Sequence, residues 1–285
     1  MLALPSQHSW ALKLTIPLQN SISISDFAIK SMEVGAADFY REVTALECFT
    51  ASANSHIVPL LCTFERDGIN HMIFPWAEYN LYQYWRRYTG NFSRFNVKHQ
   101  RWISSQLLGL ADALDTIHNP RDALGGPFGR HGDIKPENIL WFQSSKESQG
   151  IFVLSDLGLA KLHRDLTGDR GSRTKGFGFT AAYRPPEVDM ANVKLSRSLD
   201  IWSLGCVLLE MACWLLGGFE DVRNLSSVRT SGSVGIDSNA FFSAKPSQHG
   251  EQYDFMVKPQ VTDVRQFLDR ERGTLNVADC FHIST

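Results

Sequence analysis

The sequence predicts an α+β fold in which a small β-rich part precedes a mainly helical part. Apolar and polar residues alternate over 11–16 and again over 22–30, which is the two-residue period of half-buried strands. Farther along, apolar residues recur at helical spacing over 100–118, and an almost continuous apolar run covers 201–217. Strands early in the chain and helices later in it are the order of an α+β domain.

The composition is that of an ordinary globular protein. The chain has 285 residues, of which 43% are hydrophobic, and its net charge is −2, so it can bury one large core or two moderate ones. No basic excess indicates a nucleic-acid partner. The apolar run over 201–217 is on the short side for a membrane span of about 20 residues, so we predict a buried core helix and no membrane partner.

The cysteines indicate the compartment. All five are scattered, with no C-x-x-C pair, and the first residues lack a signal-peptide pattern. This usage favours reduced thiols over a disulfide framework or a zinc site. We therefore expect an intracellular protein, either cytoplasmic or nuclear.

A helix with a charged residue on its apolar face is predicted over 38–49. Glu42 falls within the apolar arc of that helix, which is formed by Phe39, Val43, Leu46 and Phe49. A buried carboxylate needs a cationic partner, because an unpaired buried charge is costly. Lys30, on the preceding strand, is the candidate partner; the alternative is that Glu42 lies at the edge of the stripe.

The same periodicities predict the remaining elements: strands over 56–61 and 72–74, a short helix over 81–88, and the helix over 100–118, which ends at Asn119-Pro120. Residues 75–77 follow the strand over 72–74 without a turn glycine. Two short apolar runs, 139–142 and 151–154, flank a polar connection and predict a hairpin.

The stretch from Arg130 to Leu140 carries an acid, a base and an amide at fixed offsets. It is too polar for a core strand and too rich in Pro and Gly for a helix, so we predict a loop. Asp133 can accept a proton, Lys135 can neutralise a phosphate oxygen, and Asn138 can offer a carbonyl oxygen to a hard cation. Because the following hairpin returns the chain, Asp156 is expected beside Asn138, where both can face one magnesium ion.

In their order along the chain, these residues resemble the motifs of protein kinases. The loop resembles the kinase catalytic loop, and its Lys-Pro-Glu-Asn over 135–138 is the form typical of serine/threonine kinases. Asp156-Leu157-Gly158 resembles the metal-binding Asp-Phe-Gly, and Pro185-Pro186-Glu187 is similar to Ala-Pro-Glu. The resemblance runs from Phe27 to Gly217 and rests on six ordered features: Lys30, Glu42, the 131–138 loop, Asp156, Glu187 and Asp200.

The resemblance implies a bilobal protein-kinase-like fold. It places a small β-sheet N-lobe over 1–77 and a mainly α-helical C-lobe over 78–285. A Ser-, Gly-, Asn- and Gln-rich stretch at about 219–252 is expected to be a long, flexible insert. The resemblance also implies that Asp200 bonds the backbone of the catalytic loop, and it makes Arg272 a candidate partner of Glu187.

The implied activity is ATP- and Mg²⁺-dependent phosphorylation of serine or threonine hydroxyls in a protein substrate. Asp133 would orient and deprotonate the acceptor hydroxyl, and Lys135 would neutralise the transferring phosphoryl group. On the nucleotide side, Lys30 would bind the phosphates and would be steadied by Glu42. Phe74 would be the side chain guarding the pocket, and the Ala77 backbone would bind adenine, because Pro75 has no amide. Asn138 and Asp156 would be the magnesium ligands.

Three features depart from the kinase pattern. Residues 1–34 contain no glycine, so the glycine-rich loop that covers the phosphates has no counterpart. His131-Gly132-Asp133 replaces the usual His-Arg-Asp, and without that arginine we expect phosphorylation of Ser172 or Thr174 to change activity little. The chain also stops soon after Arg272, and we expect it to be abbreviated at both ends.

Two alternatives stay open from the sequence. One is a pseudokinase, a binding module that keeps the fold and has lost turnover, which the missing glycine-rich loop favours. The other is a small-molecule phosphotransferase of the same fold, since some of these carry His-Gly-Asp-x-x-x-x-Asn in this loop. Lys135-Pro136-Glu137 and Asp200-Ile201-Trp202-Ser203 fit protein kinases better.

Overall fold

The computed structural model describes residues 12–17, 24–33, 35, 37–50, 54–88, 97–120, 129–159, 180–190, 196–230, 239–246 and 253–263. Its strands and helices are β1 (Leu12–Pro17), β2 (Ile24–Glu33), α1 (Ala37–Thr50), β3 (Cys62–Arg66), β4 (Ile69–Pro75), β5 (Tyr79–Asn80), α2 (Leu81–Arg87), α3 (Val97–His118), β6 (Ile139–Phe142), β7 (Ile151–Leu154), α4 (Ser198–Gly217), α5 (Phe219–Thr230), β8 (Phe242–Pro246) and β9 (Tyr253–Val257). The helices predicted over 38–49, 81–88 and 100–118 are confirmed as α1, α2 and α3.

The described residues belong to two compact units that interleave along the chain. The first unit takes its described residues from the ranges 1–83, 106–132 and 136–168, and the second takes them from 84–105, 133–135 and 169–285. Because the units interleave, the predicted lobe boundary at residue 77 stays a prediction.

The first unit contains a four-stranded antiparallel sheet in the order β1-β2-β4-β3. β2 pairs with β4 so that Lys30 lies opposite Met72, a fully buried residue. Asp67 and Gly68 join β3 to β4 with φ angles of 53° and 75°. Two left-handed residues form the turn whose twist matches that of the flanking strands, and Asp-Gly is among its preferred sequences.

The strand predicted over 56–61 is misplaced, because β3 begins at Cys62. Residues 56–58 instead run beside β7, where the Val58 amide donates to the Leu154 carbonyl at 2.9 Å and the Leu154 amide to the His56 carbonyl at 2.8 Å. Pro59 has no amide to continue that pairing. The apolar residues of 56–61 therefore belong to a connecting segment.

A second sheet in the first unit, with the order β5-β6-β7, contains the predicted hairpin. The hairpin is confirmed as β6 and β7, which are antiparallel with Ile139 opposite Leu154. Its loop closes at Gly150, where φ is 84° and an added Cβ would lie 2.4 Å from the Trp141 ring. Asn138 is the residue before β6, and Asp156 follows β7 by two positions.

Helix α4 in the second unit is the apolar helix predicted over 201–217. Among the described residues it is the one helix long and apolar enough to cross a membrane by length and composition, with a hydropathy of 1.7. The core helix of a soluble protein can be equally long and apolar, and more than half of this helix's most apolar stretch is buried. Its buried residues include the acids Asp200 and Glu210, which favours the core position.

The long loop predicted at about 219–252 is wrong over much of that range. Residues 219–230 form α5, and β8, within the described residues 239–246, pairs antiparallel with β9, within the described residues 253–263. Four buried residues of this region, Val222, Leu225, Phe241 and Phe242, supply the apolar contacts that the overall composition hid. A few buried apolar residues can therefore stabilise a helix and a strand pair in a stretch whose average composition is polar.

Candidate active site

Three charged side chains meet in the first unit. The Lys30 ammonium donates to both carboxylate oxygens of Glu42, each at 2.8 Å, and to Oδ1 of Asp156 at 2.8 Å. Lys30 lies on β2, Glu42 on α1, and Asp156 beyond the hairpin, so three separate elements position the cluster. The pairing predicted between Lys30 and Glu42 is therefore present, and Asp156 is a further partner that the prediction did not include.

Burial and charge act against each other in this cluster. Burial alone would lower the pKa of Lys30, but the carboxylates of Glu42 and Asp156 outweigh it and raise that pKa to about 12. Burial also raises the pKa of Glu42, and the Lys30 ammonium opposes the rise. The cluster thus keeps a charged ammonium within reach of Asp156, the predicted magnesium ligand.

The backbone around Asp156 is specialised. Asp156 has a φ of 61°, in the left-handed region that few residues other than glycine, asparagine and aspartate adopt. Two residues later, a Cβ on Gly158 would lie 3.2 Å from Glu42 Oε2 and 3.4 Å from Lys30 Nζ. Glycine therefore lets the chain pass close beside the ion cluster without displacing it.

The hairpin and a buried histidine hold the backbone of the residue that precedes Asp156. The amide and the hydroxyl of Ser155 both donate to the Asn138 carbonyl, at 2.9 and 3.0 Å. His131 is fully buried, and its Nε2 lies 3.0 Å from the Ser155 carbonyl oxygen. The backbones of Asn138 and of the residue before Asp156 are thus adjacent, as the returning hairpin predicts.

Residues 76–78 connect β4 to β5. The Trp76 amide donates to the Asp26 carbonyl at 3.3 Å, and the Glu78 amide to the Trp141 carbonyl at 3.2 Å. Between them, the backbone of Ala77 makes no hydrogen bond to any residue that the structure describes. Phe74, near the end of β4, is half-buried and pairs with Ala28. A peptide unit without a hydrogen-bond partner among the described residues is suited to hydrogen-bond the edge of a flat ring.

A second cluster lies in the second unit and surrounds Asp133. Lys135 donates to Asp133 Oδ2 at 2.6 Å and to Thr180 Oγ1 at 2.7 Å. The Thr180 hydroxyl in turn donates to Asp133 Oδ1 at 3.0 Å. Both oxygens of Asp133 are thereby oriented, while the side chain keeps about a tenth of its surface exposed.

The glycine that departs from the kinase pattern has a backbone role. Gly132 has a φ of 86°, which L-residues with side chains rarely adopt. His131 on one side is fully buried, and Asp133 on the other is half-buried. A positive φ at this position favours glycine over the arginine that kinases usually have.

Some of the remaining predicted residues lie within the described part of the chain, and others lie outside it. Asp200 is 1% exposed and lies in the first turn of α4, whose N-cap is Arg197. Its predicted bond to the catalytic loop stays a prediction. The Glu187 carboxylate accepts from the Ser198 hydroxyl at 3.4 Å. Its proposed partner Arg272, together with Ser172 and Thr174, lies outside the described residues.

The sequence interpretation missed Thr180. No periodicity marks this residue, because it belongs to an irregular segment 47 positions after Asp133. The only available signal was its place just before the Tyr183-Arg184-Pro185 stretch. Thr180 is nevertheless the neutral side chain that contacts both charged groups of the second cluster.

The donor set of the first unit fits magnesium held together with a nucleotide. Among the described residues, no group of three or more His, Cys, Asp or Glu side chains could hold a metal ion. Mg²⁺ is commonly bound by one or two carboxylates together with substrate phosphates, so Asp156 and the Asn138 amide oxygen are the groups that could hold it.

Comparison with known proteins agrees with this geometry. The family model described as "Protein kinase domain" matches residues 21–220, well over half of the chain. The match begins before β2 and ends at the start of α5, so it includes both charged clusters. The chain belongs to the protein kinase family.

Several of the relatives that the chain matches carry cyclin-dependent kinase names. The chain is 29% identical over 198 residues to "Probable cyclin-dependent kinase 8" of Dictyostelium discoideum, covering 67% of this chain and 47% of the relative. It is 27% identical to human "Cyclin-dependent kinase-like 4" over 68% of this chain and 46% of the relative. To "Cyclin-dependent kinase-like 2" of Rattus norvegicus it is 37% identical over 35% of this chain and 18% of that protein. The chain spans about half the length of the first two relatives.

Proposed function

We propose that this chain is an ATP- and Mg²⁺-dependent protein kinase that phosphorylates serine or threonine hydroxyls of a protein substrate. The observation that carries the proposal is the contact of Lys30 with both Glu42 and Asp156. Phosphoryl transfer depends mainly on positioning and on neutralising charge, and this cluster supplies an immobilised cation next to a metal-binding carboxylate.

The residues of this chain divide the work. Lys30, steadied by Glu42, would bind nucleotide phosphates, and the free Ala77 peptide would bind the base beside Phe74. Asp156 and Asn138 would hold Mg²⁺, which when bound neutralises charge on the transferring phosphoryl group. Each of these groups belongs to the first unit, where Lys30 and Asp156 orient each other through their 2.8 Å contact.

The second cluster would serve the acceptor. Asp133 has one oxygen bound by Lys135 and the other by Thr180, so its carboxylate is held in one orientation. A carboxylate in that position can accept the proton of an acceptor hydroxyl. Lys135 would neutralise the transferring group, and the Lys-Pro-Glu-Asn sequence supports serine or threonine as the acceptor.

The experiment that tests the activity uses purified protein, Mg-ATP and three peptides that differ only in a serine, threonine or tyrosine acceptor. We expect phosphate on the serine and threonine peptides alone, and none without Mg²⁺. Equal labelling of the tyrosine peptide would contradict the serine/threonine assignment. Because residues 1–34 contain no glycine, we also expect weaker ATP binding and slower turnover than the usual kinase range of about 1–100 per second.

A pseudokinase is the second candidate, favoured by that same lack of glycine before Lys30. In it, Lys30, Asp156 and Ala77 would bind the nucleotide without productive alignment of the phosphoryl group. Magnesium-dependent ATP binding with no detectable phosphorylation of any of the three peptides would select this candidate.

We also propose an intracellular location. Cys48, Cys62, Cys206 and Cys213 are all free thiols in the part of the chain that the structure describes. Burial raises the pKa of Cys213 to about 12, so that thiol is unreactive at neutral pH. Fluorescent tagging of the expressed protein would test this: secretion or entry into the endoplasmic reticulum would contradict the proposal.

A further inference from the structure

A second buried ion pair lies at the edge of the family match. Glu210 on α4 and Arg229 on α5 are each 3% exposed, and Arg229 Nη1 lies 3.4 Å from Glu210 Oε1. The family match ends at residue 220, so Arg229 belongs to the segment that follows it. The contact therefore joins Glu210, inside the family match, to Arg229, nine positions beyond its end.

The other oxygen of Glu210 holds a tyrosine. The Tyr183 hydroxyl donates to Glu210 Oε2 at 2.8 Å. The main chain of Tyr183 is held as well, because its carbonyl accepts from the Ser203 hydroxyl at 2.8 Å. Glu210 thus joins Arg229 on α5 to Tyr183 in the irregular 180–190 segment.

The segment beyond the family match also packs against this network. The Arg229 guanidinium lies 3.9 Å from the centre of the Phe241 ring, and the Phe241 and Tyr183 rings are 6.1 Å apart. Lys258, almost fully buried, donates from Nζ to the Arg229 carbonyl at 2.9 Å and from its amide to the Phe241 carbonyl at 3.0 Å. Arg229 is consequently fixed from both its backbone and its side chain.

The network continues to Asp133. The Tyr183 amide donates to the Thr180 carbonyl at 3.1 Å, closing a turn. Thr180 then donates its hydroxyl to Asp133 Oδ1 and accepts from Lys135. A chain of contacts within the second unit therefore runs from Arg229 through Glu210, Tyr183 and Thr180 to Asp133.

We propose that Arg229 is a positioning residue for phosphoryl transfer, acting through Glu210 and Tyr183 to hold Thr180 against Asp133. Phe241 and Lys258, which also follow the family match, anchor Arg229. The inference rests on the proposed kinase function, because Asp133 is taken as the group that orients the acceptor. It assigns to residues outside the family match a role in the rate of the reaction.

The test compares Tyr183→Phe, which removes a single hydroxyl, with Arg229→Met, which leaves Glu210 without its cation. Each has a matched control at an exposed position: Tyr253→Phe and Arg223→Met. We expect kcat to fall by about 10- to 100-fold in the two network variants, with KM for ATP unchanged and both controls normal. Arg229→Lys, which restores a cation, should recover part of the lost kcat.

Hydrogen exchange at the Tyr183 amide supplies a readout that needs no turnover. Exchange should be faster in Tyr183→Phe and Arg229→Met than in the wild type, because the turn at Thr180 loosens. If the wild-type protein binds Mg-ATP without turnover, the proposed kinase function fails. The exchange rates alone would then show whether Arg229 holds the Thr180 turn in place. Should Arg229→Met not fold, Tyr183→Phe and Arg229→Lys carry the comparison.

Three results would overturn the proposal: normal kcat with unchanged exchange in Tyr183→Phe, a loss in Tyr183→Phe that Arg229→Met does not share, or an equal loss in the exposed controls. The first would show that the contact to Glu210 does not reach Thr180. The second would remove Arg229 from the pathway, and the third would show general destabilisation.

Discussion

Two lysines of this chain are held by carboxylates in different ways. Lys30 contacts Glu42 and Asp156, which lie 12 and 126 positions away and belong to separate elements. Lys135 contacts Asp133 only two positions away, and a threonine from a distant loop completes that cluster. The first cluster depends on how a strand, a helix and a hairpin pack, whereas the second depends on the shape of one loop.

The comparison suggests a division of tasks. A cation anchored by three packed elements stays in place when a ligand binds, which suits the binding of nucleotide phosphates. A carboxylate oriented by a neighbouring lysine and a hydroxyl can exchange those contacts for an acceptor, which suits proton transfer. Substitutions in the first cluster should therefore affect stability and nucleotide binding, and those in the second should affect rate.

The largest expected effect on stability comes from Lys30→Met, which leaves the 2%-exposed Glu42 carboxylate without its cation. Removing one partner of a buried ion pair costs about 3–5 kcal/mol of the free energy of unfolding. Denaturant unfolding measures it, with Arg223→Met as the control, because exposed pairs contribute only about 0–1 kcal/mol. Equal losses in the two variants would show that burial does not distinguish the Lys30 pair.

This loss should depend on pH. Burial raises the pKa of Glu42, and Lys30 counteracts the rise, so removing Lys30 raises that pKa further. A carboxyl whose pKa is higher in the folded than in the unfolded state favours folding at low pH, and that contribution disappears as the pH increases. The Lys30→Met deficit should therefore be smaller at about pH 5 than at about pH 8. A deficit that grows on acidification would contradict the assignment.

The next largest effect is on ligand binding. Asp156→Ala should weaken magnesium-dependent ATP binding by more than about 100-fold and leave the protein folded, because changes to residues that only support metal ligands already cost about 10- to 100-fold. Calorimetric titration with and without Mg²⁺ measures it, and circular dichroism checks the fold. Unchanged magnesium-dependent affinity would remove Asp156 from the site.

A smaller effect on stability is expected from the backbone conformation of the residue before Asp133. Gly132→Ala places a side chain at a φ of 86° and should cost about 1–2 kcal/mol. Gly205→Ala is the matched control, because an added Cβ on this helical glycine meets nothing within 4 Å and should be neutral or stabilising. Thermal unfolding compares the variants. If both substitutions are neutral, the loop does not require glycine before Asp133.

The sequence predicts the first cluster better than the second. Lys30 and Glu42 follow from helical periodicity and the cost of an unpaired charge, and the hairpin brings Asp156 near. Thr180 lies in an irregular segment, where no period restricts which side chains meet, and Gly132 is recognised as a conformational requirement only once its φ is known. The burial of Arg229 and Phe241 was hidden because composition averages the polar stretch around them. The misplacement of the strand predicted over 56–61 was avoidable, because Asp67-Gly68 is a hairpin-turn sequence.

The most direct test of the division between the clusters is a paired measurement on Asp133→Asn and Asp156→Ala. Each variant is titrated with Mg-ATP and assayed for transfer to a serine peptide. The division of tasks predicts that Asp133→Asn binds Mg-ATP as the wild type does but loses turnover by about 10²- to 10⁴-fold, whereas Asp156→Ala loses both. Turnover retained in Asp133→Asn, or Mg-ATP binding weakened equally in both variants, would contradict it.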